Sequence, residues 1–281
     1  MRLKTVNDIS DSELIDWIAS PKEYISEIRN NPARFLRDKA NIPTKAISPF
    51  FKNKLMVVSS IKMEKINPFI SVTCSLEDWW YVNDGFNRYI HIDLAQSRNR
   101  AGICCCHASR YVPVERYDEK ENKIYQESAP YIIIDYMGVV SAPVDDVIDI
   151  TKFINIVENT YERGAYPALV TFDSYQSQQA ISMLQNQGIT AGVMSLDRTT
   201  TYLLLDGAKN LGYRKVSTDG DFAAPFDALY QCMKEHRIEI PEHNLFLDEC
   251  FELEWVEEKR VVMKQPGSSD DLVQPVAGAV F

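Results

Sequence analysis

The chain has 281 residues, 45% of them hydrophobic and 25% charged, which suits one large domain or a domain with an arm. Its net charge of −10 argues against a free-standing nucleic-acid binder, although carboxylates gathered around metal ions count towards such a total and a small basic groove can hide in it. No apolar run approaches the length of a membrane span, and the N-terminus, MRLKTVNDISDSEL, lacks the apolar stretch of a secretion signal.

Residues 1–88 read as an appendage. Helical periodicity is present in SDSELIDWIAS and KEYISEIRNNPARFLRDKA, with Asp11 or Ser12 as caps. After Pro43 the chain turns irregular, and the aromatics Trp79, Trp80 and Tyr81 are expected to pack against the main domain rather than stack on bases. The main domain is assigned to residues 89–281.

From Tyr89 the order of elements is informative. Strands are predicted over 89–95, 101–108 and 131–140, the last two separated by a charged connection, RYDEKENK. A helix over 149–163 stops at Gly164, a strand covers 168–173, a helix over 177–187 stops at Gly188, and a strand covers 191–196. The remainder reads mostly as helix, including FDALYQCMKEHR and LFLDECFELEWV. Three strands in succession, followed by alternating helices and strands, indicate an α/β protein with a mixed sheet covered on both faces, the order of a ribonuclease-H-like fold. The six cysteines, at 74, 104, 105, 106, 232 and 250, include no C-x-x-C pair; buried reduced thiols are expected.

The chemistry centres on YIHIDLAQSRNRAGI, residues 89–103. Alternation sets Ile90, Ile92 and Leu94 on one side of the strand and His91, Asp93 and Ala95 on the other. A carboxylate in an otherwise apolar strand is either paired by a cation of the protein or holds a metal. The pattern recurs in LVTFDSYQS, where Asp173 ends the fourth strand. In a ribonuclease-H-like order the first and fourth strands are neighbours, so the two carboxylates meet at strand ends, where sites form in open sheets. Facing carboxylates repel unless a cation lies between them, and hard oxygen ligands suit Mg²⁺ or Mn²⁺. With a third carboxylate they would hold two ions about 3.5–4 Å apart, the arrangement used in phosphodiester cleavage. The third candidate lies in GSSDDLVQPVAGAVF, at Asp270 or Asp271.

These stretches carry a resemblance. HIDLAQSRNRAGI, APVDDVIDI, VTFDSYQSQQAISMLQNQGI, SLDRT and PGSSDDLVQPVAGAV, in that order, resemble the nuclease half of large terminase subunits, the genome-packaging motor proteins of tailed bacteriophages. PARFLRDKANIPTKAISPFF resembles the stretch joining the ATPase half to the nuclease half, so the likeness runs from about residue 30 onward. It implies a two-metal endonuclease that uses Mg²⁺ or Mn²⁺ to cut double-stranded concatemeric DNA in the host cytoplasm. Asp93, Asp173 and Asp271 would be its ligands, and an ATPase half, a small terminase subunit and a portal its partners. Two departures stand out. No G-x-x-x-x-G-K-[ST] occurs, so the chain is expected to be a separately encoded nuclease half or a fragment. The family commonly reads G-S-K-D-x-x-D-A where this chain has SSDDLVQP, with Asp270 in place of the lysine, Gln274 in place of the later aspartate, and Pro275 after it. The altered motif keeps a second reading open, a non-catalytic docking module of the packaging motor with a degraded site.

Around the third ligand, Ser268 or Ser269 is expected to cap a helix striped by Leu272, Val276, Ala279 and Val280, with Gly278 allowing close approach to the sheet. Asp270 is expected to face solvent, and a late start would instead spend Asp271 on backbone amides. Asp135 reads as a supporting ligand or a salt-bridge partner. Arg198 is expected to pair locally with Asp197 rather than contact a phosphate, and Arg98 and Arg100 flank the first turn, near where a scissile phosphate would sit. His91, His107, His236 and His243 lack zinc-like spacing and read as structural, and Ser174 and Ser177 lack a nucleophile-elbow context.

Overall fold

The computed structural model describes residues 48–94, 100–118, 121–142, 148–173, 177–194, 196, 200–205, 214–217, 224–258, 261–265 and 267–281. The predicted helices within 1–40 with their caps, and Arg98, Ser174, Asp197 and Arg198, lie outside them.

Segment 48–88 contributes helix α1 (Lys54–Ser60) and strands β1 (Ile61–Lys62), β2 (Phe69–Ile70) and β3 (Ser75–Leu76). It is built into the main body. Phe50, Phe51, Met56 and Val57 are core residues, and β1 joins the main sheet. Trp80 is buried edge-on against Tyr136 and the Tyr81 ring lies against the Arg163 guanidinium, whereas Trp79 is exposed, which corrects the expectation for Trp79.

The centre of the fold is a meander of β4 (Asn87–Asp93), β5 (Arg100–Asp118) and β6 (Lys123–Ser141). Helix α2 (Thr151–Glu162), strand β7 (Tyr166–Phe172), helix α3 (Gln178–Asn186) and strand β8 (Ala191–Met194) follow. Next come β9 (Thr200–Leu205), β10 (Arg214–Ser217), α4 (Ala224–Lys234) and β11 (Ile238–Pro241). The chain closes with α5 (Asn244–Glu252), β12 (Leu253–Val256), β13 (Val261–Lys264) and α6 (Val273–Val280). Among the described residues the main sheet has nine strands in the order β1-β11-β6-β5-β4-β7-β8-β9-β10. β4 pairs antiparallel with β5 and parallel with β7, and β7 pairs parallel with β8. Three meandering strands, with the fourth and fifth added parallel beside the first, make the sheet ribonuclease-H-like, as expected.

Both faces are covered. Ile90, Ile92, Ile103 and Cys105 pack under α2 and α3. Cys104, Cys106 and Ile134 pack under α1, α4, α5 and α6. Period-two alternation explains the CCC run: consecutive side chains enter opposite cores, and all six thiols are buried and free. Apolar surroundings push those of Cys104, Cys105 and Cys106 far up, which keeps them protonated.

Several boundaries differ from expectation. The charged connection forms the end of a long β5–β6 hairpin, since Arg116, Tyr117 and Asp118 pair in register with Tyr125, Ile124 and Lys123. Leu253–Val256 is not helix: LEWV alternates and pairs with VVMK, which sequence reading missed. β9, β10 and β11 likewise break the expected helical remainder, the first two as a hairpin on β8 and the third beside β6.

Candidate active site

The site is built where β4 and β7 end and β5 begins. His91 and Ile92 on β4 pair with Thr171 and Phe172 on β7, and the Asp173 amide donates to the Ile92 carbonyl at 3.2 Å. Continuing that register sets Asp93 beside Asp173. On its other flank Asp93 pairs with Gly102 of β5. Directly opposed residues share a face of the sheet, so Asp93 points to the side covered by α6.

Gly102 is why the third carboxylate arrives here. A Cβ at Gly102 would lie 1.8 Å from the Asp271 carbonyl oxygen and 2.6 Å from Pro275 Cγ. The chain entering α6 therefore rests on the bare backbone of β5, next to Asp93. A second close approach seats the helix one turn later, because a Cβ at Gly278 would fall 2.4 Å from the His91 ring. The predicted close approach at Gly278 is what the structure has. His91 is fully buried, and burial pushes its pKa down to about 3, so the ring is neutral. Its Nδ1 shares a 2.8 Å hydrogen bond with Thr171 Oγ1 and ties β4 to β7 two residues back from the aspartates.

The start of α6 is set by a residue that sequence reading missed. Glu249 of α5 is 1% exposed and accepts hydrogen bonds from the amides of Leu272 (2.9 Å) and Val273 (2.8 Å) and from Ser269 Oγ (2.6 Å). It replaces the expected serine caps: Ser268 donates to the Gln265 carbonyl instead. It also relieves Asp271 of that duty, for the helix begins at Val273 and Pro275 falls in the first turn, where its missing N–H is harmless. Burial raises the Glu249 pKa, opposed by these three donors. A signal existed: Phe246, Glu249 and Cys250 share the buried helix face at i, i+3 and i+4.

Asp270 is not solvent-facing. Its side chain is 13% exposed, with Oδ1 2.7 Å from Lys264 Nζ and Oδ2 accepting from Gln274 Nε2 at 2.5 Å. Lys264 on β13 had no local signal in the sequence.

Electrostatically the four aspartates form one cluster. Burial first, then repulsion from Asp173, Asp270 and Asp271, raises the Asp93 pKa to about 7, with Lys264 working the other way. Burial also raises that of Asp271, which Lys264 and Arg100 lower and Asp270 raises further. The donors are hard oxygens and their mutual repulsion is what a divalent cation would relieve, so the residues fit Mg²⁺ or Mn²⁺ in kind. Among the described residues, no three His, Cys, Asp or Glu side chains are gathered tightly enough to hold a metal ion as they stand. A cavity of about 270 Å³ on the same face is a separate feature, lined mainly by apolar side chains such as Leu169, Met194 and Val280.

Asp135 stands apart. It occupies a bulge of β6 opposite Cys105 and Cys106, bound by His107 Nδ1 at 2.8 Å and by Arg88 Nε at 3.1 Å. Arg88, whose side chain is fully buried, also grips Asp84 through both terminal nitrogens, at 2.8 and 2.7 Å. Of the two readings of Asp135, the structure selects the salt-bridge partner.

Comparison with solved structures finds a likeness of fold. The chain is similar to the nuclease domains of phage large terminases. The large terminase nuclease of thermophilic phage G20c is 12% identical, aligns over 83% of this chain and 97% of its own, and has a TM-score of 0.49. The nuclease domain of the Thermus phage P74-26 large terminase is 12% identical over 80% and 92%, with a TM-score of 0.47. The large terminase of bacteriophage HK97 is 10% identical over 97% of this chain and 55% of its own, with a TM-score of 0.46. The G20c nuclease has also been solved with magnesium and with cobalt bound. No protein-family profile matches the sequence, and no curated protein matches it.

Proposed function

We propose that the chain is a metal-dependent endonuclease that cuts double-stranded DNA during phage genome packaging, with Asp93, Asp173 and Asp271 as its metal ligands. The observation that carries this reading is the convergence of three elements on one carboxylate cluster. Asp93 and Asp173 stand on adjacent parallel strands, and a glycine on the third strand admits the segment bearing Asp271. The sequence resemblance supplies the reaction class. When bound, two Mg²⁺ or Mn²⁺ ions would activate water and stabilise the leaving oxygen of a phosphodiester.

The protein's own groups prepare the site. Burial, and then repulsion from the neighbouring aspartates, raises the Asp93 pKa to about 7 without metal, and a cation that displaces this proton gains the whole carboxylate charge. Glu249 fixes the start of α6, and the His91–Thr171 hydrogen bond holds the two aspartate-bearing strands in register. We assign Phe50 and Phe51 to the same domain as the site, because they belong to its core. The ATPase half, small subunit and portal remain partners by resemblance, and action in the host cytoplasm belongs to the same proposal. Among the described residues no helix is long and apolar enough to cross a membrane.

Plasmid nicking by the purified chain with Mn²⁺, Mg²⁺ or EDTA tests the reading. Metal-dependent nicking is expected, and Asp93→Ala and Asp173→Ala should each abolish it; wild-type nicking by either variant would overturn the assignment. The ion pair between Lys264 and Asp270 favours the second reading, a docking module with a degraded site. Folded protein that neither nicks DNA nor binds Mn²⁺ would establish it.

A further inference from the structure

We propose that Lys264 is the resident counter-cation of the carboxylate cluster and competes with divalent metal for it. This rests on the nuclease reading of the same site.

The arrangement follows from the last hairpin. Lys264 ends β13, opposite Leu253 of β12. The chain then reverses through Gly267, whose φ of +86° favours glycine, with the Ser268 amide bonded to the Gln265 carbonyl. This turn returns Asp270 to Lys264, Nζ 2.7 Å from Oδ1, while Gln274 holds Oδ2. Both oxygens of Asp270 are thereby engaged by the protein. The lysine charge also acts on Asp93 and Asp271.

A lysine and a divalent ion answer the same repulsion by different means. The ammonium brings one positive charge and directional N–H donors, on a stem that is 43% exposed and free to swing away. A divalent ion brings two charges and draws several oxygens inward. Lys264 is bonded to Asp270 beside the proposed ligand Asp271, so its charge opposes a divalent ion on Asp93 and Asp271 through space. A divalent ion on those ligands would therefore weaken the hold of Lys264 on the cluster, and Lys264 would weaken the hold on the ion. An ordinary exposed ion pair would leave metal affinity untouched.

Calorimetric titration of Mn²⁺ into the full chain distinguishes these. Wild type is compared with Lys264→Gln and with Lys123→Gln at the start of β6 as a charge control. Removing this positive charge from the cluster should tighten Mn²⁺ binding about five- to tenfold, with the control unchanged. In EDTA at pH 8, Lys264→Gln should melt below wild type, and Mn²⁺ should raise its melting temperature by more than it raises that of wild type. Mn²⁺ binding by the variant alone would also support competition. Equal or weaker binding by Lys264→Gln, with wild type binding, overturns this proposal and leaves the nuclease reading standing. No binding by either protein overturns both.

Discussion

Replacing Asp93 by asparagine tests the electrostatics of the site without reference to activity. Asp93 has a folded pKa of about 7, against 3.8 for a free aspartate, so its carboxyl binds a proton more tightly in the folded state. Below the unfolded value both states are protonated and the group contributes nothing to the pH dependence. As pH rises from there towards about 7 the unfolded chain gives up its proton first, and stability falls; above the folded value the full penalty is present. Roughly three pKa units correspond to at most about 4 kcal/mol at pH 8, and about 1.5 kcal/mol at pH 5. Coupling to Asp173 and partial solvent access reduce the pH 8 figure to about 2–3 kcal/mol. Asparagine keeps the shape and removes the charge, so Asp93→Asn should stabilise the metal-free protein. At 2–4 °C per kcal/mol, its melting temperature in EDTA should rise by about 5–10 °C at pH 8 and clearly less at pH 5. Thermal melts of both proteins at the two pH values, with and without Mn²⁺, provide the measurement. Mn²⁺ should stabilise wild type and reduce or reverse the gap. A variant less stable than wild type at pH 8 in EDTA, or equally stabilised at both pH values, would refute the reasoning.

Other perturbations separate the supports of the site. Glu249→Ala leaves two buried amides and a serine hydroxyl without their acceptor, and should lower unfolding free energy in urea by about 3–5 kcal/mol, against about 1–2 kcal/mol for Glu249→Gln. Gly102→Ala pushes a methyl group into the Asp271 carbonyl, where the space is backbone and cannot yield cheaply. It should destabilise by about 2–3 kcal/mol and weaken Mn²⁺ binding, both measured on the same preparation. Asp135→Ala strips Arg88 and His107 of a buried partner and should cost about 3–5 kcal/mol of stability. Mn²⁺ affinity at 10 °C, where the variant stays folded, should be unchanged; a large loss of affinity would return Asp135 to the ligand set.

What the sequence determined by itself was the local pattern. Period-two alternation in YIHID put His91 and Asp93 on one face and Ile90 and Ile92 on the other, and the contacts of those residues follow it. Apolar strands, helix periodicity and glycine stops located β4, α2, β7 and α3 to within a few residues, because each reports burial within a window of one or two turns. Recurrence of a strand-end aspartate, with the order of elements, brought Asp93 and Asp173 to neighbouring strands. Short strands such as β11 and β12 escaped, since four residues give too little periodicity to tell strand from helix. The tertiary structure alone decided how the third corner is made. Glu249 reaches three donors at Ser269, Leu272 and Val273, twenty or more residues along the chain. Gly102 admits a segment from the far end of the sequence, and Lys264 finds Asp270 only because a turn folds the chain back. A buried carboxylate or a missing side chain has an energy set by what packs against it, and that partner is chosen by the fold rather than by neighbours in sequence.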